Sequence, residues 1–73
     1  MTDERKKINY TVACVSEFAA RFGMDQKRAF QYLYQYGAIR FIKENYEIEH
    51  TLSFEEAVED MAIICRKNGG TLV

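Results

Sequence analysis

Apolar positions from Arg5 to Phe22 recur at spacings of three and four, at Ile8, Thr11, Val12, Val15, Phe18, Ala19 and Phe22. That period predicts an amphipathic helix with one face toward a core. Gly23 ends it, because a glycine can close a helix in the left-handed conformation without a Cβ clash. Asp25 is placed to cap a second helix that runs to about Tyr36 and is closed by Gly37. Ile39, Ile42 and Tyr46, with Phe41 alongside, predict a short third helix from Ala38 to Asn45. The last helix, Phe54 to about Asn68, carries Phe54, Ala57, Val58, Met61, Ile64 and Cys65 on one stripe. Arg66 and Lys67 fall in its last turn, where the helix dipole favours cations, and Gly69-Gly70 stops it.

Between the third and last helices the pattern changes from helical to alternating. Tyr46, Ile48 and His50 fall on one side, and Glu47, Glu49 and Thr51 on the other, which predicts a short extended segment. Ser53-x-x-Glu56 then reads as a capping box, so the last helix should begin at Phe54. The fold class that follows is all-α: a bundle of about four helices, with a helix-turn-helix-like element and a short extended segment before the last helix. With no proline and no linker composition, residues 1–73 form a single domain. A chain of 73 residues builds a modest core that is marginal unless its helices pack well or a partner covers part of it.

Composition narrows the function classes. Apolar residues at 48% and aromatics at 14% are enough to drive folding. Ten basic against eleven acidic residues give a net charge of -1, so no global field draws the chain to nucleic acid or an anionic membrane, and any basic patch must be local. The charged run Met1 to Lys7 leads into a patterned helix rather than an apolar stretch. The expectation is therefore no secretory signal, no membrane span and a cytoplasmic location. Cys14 and Cys65 lie within apolar helical patterns near opposite ends of the chain. Reduced, buried thiols are their ordinary reading and a disulfide the alternative. The tail Thr71-Leu72-Val73 should fray unless a partner holds it.

Three sets of residues are candidates for function. His50, flanked by Glu47 and Glu49, has an imidazole that could titrate near neutrality or join a metal site. A single histidine with no Cys-x-x-Cys or His-x-x-x-His spacing is too few ligands for zinc. The plainer role for His50 and Thr51 is to hold the chain by side-chain hydrogen bonds as it approaches the last helix. The stretch Val15 to Tyr32 fits a helix-turn-helix, with Phe18, Phe22, Met24 and Tyr32 apolar, Ala19 small and Gly23 at the turn. In that reading Gln26, Lys27, Arg28 and Gln31 face a DNA groove, with Arg5, Lys6 and Lys7 available for phosphates.

The third candidate is the aromatic crowd on the second helix. Phe30 and Tyr34 form one i,i+4 pair and Tyr32 and Tyr36 another, pointing well apart. Either the helix is central, with phenol tips reaching water, or one pair stays exposed as an anchor for a partner or a second copy. No phosphate-cradling glycine loop, nucleophile elbow or nucleophile-base arrangement is present. The paired acids Glu55-Glu56 and Glu59-Asp60 read as a solvated helix face. No catalytic residue, metal or cofactor is expected. The functional expectation is a protein-binding domain without catalytic activity, with a helix-turn-helix DNA-binding protein as the alternative.

An opening amphipathic helix, the Arg21 to Tyr36 region with its glycine turn, Gly37, and the motif Tyr46-Glu47-Ile48-Glu49-His50-Thr51 together resemble a family of small bacterial proteins known as domain of unknown function 3791. Members more usually have an aliphatic residue before the His-Thr pair and a polar or glycine-containing connection after it, where this chain has Glu49 and then Leu52-Ser53. The role of Tyr46, His50 and Thr51 is undefined in that family. Its members are often small companions of ADP-ribosyltransferase-like proteins, so the resemblance implies an accessory or antitoxin-like component.

Overall fold

The computed structural model describes residues 3–72, and the helical periods of the sequence reappear in it as four substantial helices plus one short turn. These are α1 (Asp3–Phe22), α2 (Gln26–Gln35), α3 (Ala38–Glu44), α4 (Tyr46–Glu49) and α5 (Phe54–Lys67). Among the described residues there is no strand. The chain is an all-α bundle.

Helix ends follow the local chemistry. Asp3 and Glu4 stand in the first turn of α1, where carboxylates meet the positive end of the helix dipole. Gly23 takes φ 66° and Gly37 φ 83°, the left-handed geometry that lets α1 and α2 stop sharply. The Asp25 carboxylate accepts from the Arg28 amide at 2.7 Å, capping α2. At α5 the Ser53 hydroxyl accepts from the Glu56 amide at 3.1 Å. The Glu56 carboxylate in turn accepts from the Ser53 amide at 3.2 Å, which completes the capping box. The α2 and α5 C-termini are tied together, since the Asn68 side-chain amide donates to the Tyr36 carbonyl at 2.7 Å.

The core lies where α1, α2, α3 and α5 meet. Phe18, Leu33, Ile42, Val58 and Met61 are its largest fully buried apolar side chains, one or more from each of those helices. Burying each of these stabilises the fold by about 1.5–3 kcal/mol, so four helices share one continuous core. Both cysteines are free thiols inside it. Burial pushes each up to about 11, above the ordinary thiol value, as desolvation penalises the thiolate.

One sequence expectation is overturned. Tyr46 to Glu49 form a helical turn, not an extended segment. The Glu49 amide donates to the Asn45 carbonyl at 2.8 Å and the His50 amide to the Tyr46 carbonyl at 3.0 Å. An isolated strand would leave its backbone groups without partners, whereas a helical turn satisfies them locally. Ser53 itself is extended, at φ -67° and ψ 158°, as the N-cap of α5. The helical period regroups the side chains: Ile48 is 65% exposed and Glu49 only 4% exposed. His50 Nδ1 lies 2.7 Å from the Tyr46 carbonyl and the Thr51 hydroxyl donates to the Ile48 carbonyl at 2.7 Å. The His50-Thr51 pair therefore closes α4 behind it, while Ser53 starts α5.

Among the described residues no helix is long and apolar enough to cross a membrane. Thr71 and Leu72 are exposed. Met1, Thr2 and Val73, parts of the expected charged lead and tail, lie outside the described residues.

Candidate functional site

The aromatic residues of α2 are sorted by the packing into one inner and one outer pair. Tyr32 is buried, with its ring centroid 6.3 Å from Phe18 and 5.1 Å from Tyr36, which is half-buried. The last turn of the chain closes over this pair, and Gly70 sits so tightly against the Tyr32 hydroxyl that an added Cβ would meet it and the Cys65 carbonyl. Phe30 and Tyr34 stay outside, 45% and 69% exposed. Their rings stack in parallel at 5.9 Å between centroids.

The outer pair continues into α1. Ile8 and Val12, which the sequence assigns to the core stripe, are 47% and 53% exposed. From Cys14 round to Val12 the apolar stripe of α1 spans about 160° at 100° per residue, wider than α2, α3 and α5 can cover. Ile8, Val12, Phe30, Tyr34 and Ile39 line one hollow of about 220 Å³ with Lys43 at its edge. A second hollow of about 320 Å³ runs on from Val12 and Phe30 to Val15, Gln26 and Lys27. The result is a continuous apolar groove along α1 and α2 that ends against α3. The sequence singled out Phe30 and Tyr34 but not Ile8, Val12, Ile39 or Lys43. The available signal was the excess width of the α1 stripe, with Val12 at its margin.

A different cluster closes the opposite side of α1. The Tyr10 hydroxyl donates to the Glu49 carbonyl at 2.8 Å. The Tyr10 ring meets Tyr46 edge-on at 5.5 Å and stacks on Phe54 at 5.9 Å. Glu49 is buried and is held near pH 7, well above the ordinary carboxyl value, by desolvation and by a hydrogen bond and charge repulsion from Asp60. Its Oε1 has no hydrogen-bond partner among the described residues. Burial without a compensating partner on that oxygen makes the neutral acid the favoured form of Glu49. The alternating reading hid this residue, because it put Glu49 on the side opposite Tyr46, whereas one helical turn brings the two to the same side.

The remaining candidates fall elsewhere. His50 is exposed and stacks on Tyr46 at 4.5 Å, away from the groove lining. No group of three or more His, Cys, Asp or Glu side chains among the described residues is arranged to hold a metal ion. Of the proposed DNA-reading set, Gln26 donates its amide to the Ser16 hydroxyl on α1, while Lys27, Arg28 and Gln31 are exposed. Phe30 and Tyr34 share that outer surface of α2, so the face expected to read bases carries two aromatic rings at its middle.

Comparison with known proteins adds one match. The family described as Protein of unknown function (DUF3791) matches residues 9–68. No curated protein and no solved structure matches the chain. The matched span runs from within α1 to the C-cap of α5 and takes in the Glu49 cluster and the groove apart from Ile8. The chain therefore belongs to the DUF3791 family.

Proposed function

We propose that the chain is a small protein-binding domain with no catalytic activity of its own, and that it binds through the groove centred on Phe30 and Tyr34. The observation that carries this reading is the outer aromatic pair, stacked, exposed and continuous with the uncovered Ile8 and Val12 of α1. A contiguous apolar face on so small a domain is a liability in water and a ready interface when covered. The family resemblance adds the sense in which such a domain would act, as an accessory or antitoxin-like companion that neutralises or escorts an enzyme encoded with it. This reading places it inside the cell, where Cys14 and Cys65 remain thiols.

DNA binding is the weaker reading. Lys27, Arg28 and Gln31 are exposed beyond a tight turn, but the chain carries a net charge of -1 and the exposed face of α2 is aromatic at its centre. A photo-crosslinking amino acid at position 30, activated in cells, tests the proposal directly. Crosslinks to one defined protein are the expected result. Crosslinks to nucleic acid, or salt-sensitive duplex binding lost in Lys27→Ala and Arg28→Ala, would replace it with the DNA reading.

A further inference from the structure

From the charge and shape of the groove we infer that its occupant is an acidic amphipathic helix of a protein partner, an assignment that rests on the protein-binding reading above. Shape excludes an extended segment. The groove offers apolar side chains and no strand edge among the described residues, so an extended peptide would bury backbone groups without partners, while a helix satisfies its own. The α2 wall is ten residues long, about 15 Å, which matches two to three turns of a helix presenting anchors at i, i+3 or i+4, and i+7.

Charge then selects the kind of helix. Lys27 lines the groove toward the start of α2 and Lys43 lines it where α3 closes the far end. Neither forms an ion pair among the described residues. The nearby acid, Glu44, is engaged by Arg40 at 3.1 Å. Lys27 and Tyr34 are seven residues apart along α2, so the two lysines bracket the aromatic pair across about two turns. Carboxylates flanking the apolar anchors of a partner helix would meet a cation at each end of the groove. Pairing two copies groove to groove would instead bring lysines together. The outer face of α5 is acidic but offers Ile63 alone as a mid-helix exposed apolar residue, too little to fill the groove of a second copy.

The test uses the full chain and two synthetic amphipathic peptides of about fifteen residues, with identical leucine anchors and either Glu or Lys at the flanking positions. Calorimetry gives affinity and amide chemical shifts give the site. The Glu peptide is expected to bind roughly tenfold more tightly than its Lys twin at low salt, with the gap closing as salt rises. The shifts should centre on Val12, Phe30, Tyr34 and Lys43. In Lys27→Glu/Lys43→Glu, whose circular dichroism should match the parent because both lysines are exposed, the preference should reverse. Equal affinity for the two peptides, tighter binding of the Lys twin, shifts away from the groove, or binding to equimolar phosphatidylglycerol and phosphatidylcholine vesicles in place of the Glu peptide would each overturn the assignment. The two levels separate through the protein crosslinked at position 30. If its binding is lost in Phe30→Ala/Tyr34→Ala but unchanged in the charge-reversed variant, the protein-binding reading stands and the acidic helix falls. If the aromatic variant binds it normally, both fall.

Discussion

The two sides of α1 are built on opposite principles. On one, Ile8 and Val12 face solvent beside Phe30 and Tyr34, apolar side chains without a cover. On the other, a carboxyl that water would solvate well, Glu49, is enclosed by α1, α4 and α5. Simple partition would exchange the two, since apolar burial stabilises and burial of an ionised carboxylate costs heavily. The short α4 does not cover the groove. That turn lies across the Tyr10 side of α1, held by a hydroxyl-carbonyl bond and the edge-on contact of Tyr10 with Tyr46, and the groove stays uncovered among the described residues.

The largest expected effect tests the enclosed side. The folded value of Glu49, about 7, lies above the ordinary value of 4.5, so the folded chain holds a proton that the unfolded chain releases first. Its contribution is fully present at acid pH and is lost as pH rises from the ordinary value through about 7. Chemical denaturation should show stability falling by roughly 2–3 kcal/mol between about pH 5 and pH 8. In Glu49→Gln, where nothing ionises at this position, the slope should flatten. An unchanged slope in that variant would show that Glu49 is solvated and that the contrast between the two sides is false.

On the open side, the effect is in binding rather than stability. Phe30→Ala/Tyr34→Ala should weaken partner binding or self-association by about 2 kcal/mol or more, with helical content nearly unchanged. Sedimentation and circular dichroism of the same preparations separate the two. A large loss of helix would mean that the pair belongs to the core after all.

A smaller effect checks how α5 is started beside the enclosed cluster. Ser53→Ala removes the acceptor of the Glu56 amide and should cost on the order of 1 kcal/mol in urea denaturation. No measurable shift would remove the capping box from the account of why α5 begins at Phe54. The smallest effect is the control for charge. Arg21 reaches Glu59 at 3.1 Å between α1 and α5, with both side chains about half exposed. Arg21→Ala should therefore change stability by about 0.5 kcal/mol or less. A larger loss would show that exposed charge, and not only the buried carboxyl, sets the α1-α5 contact.

The helices themselves were legible in the sequence because their determinants are local. Three- and four-residue spacing marked α1 and α5, Gly23 and Gly37 marked sharp ends, and Asp25 and Ser53 supplied side-chain acceptors for orphan amides within three residues. The aromatic split on α2 was legible for the same reason, since residues four apart share a face whatever surrounds them. Which pair stayed outside was not. That choice depended on Gly70 closing over Tyr32 and on no described residue closing over Ile8, Val12, Phe30 and Tyr34. The Tyr46–Glu49 turn is not legible because a two-residue alternation over so few positions has no meaning without a neighbouring strand, and only the tertiary structure shows that none is present among the described residues. Burial of Glu49 and exposure of the groove share that physical origin. Local pattern fixes where a side chain points relative to its own helix, but whether another element covers that direction is decided by packing between segments far apart in the chain.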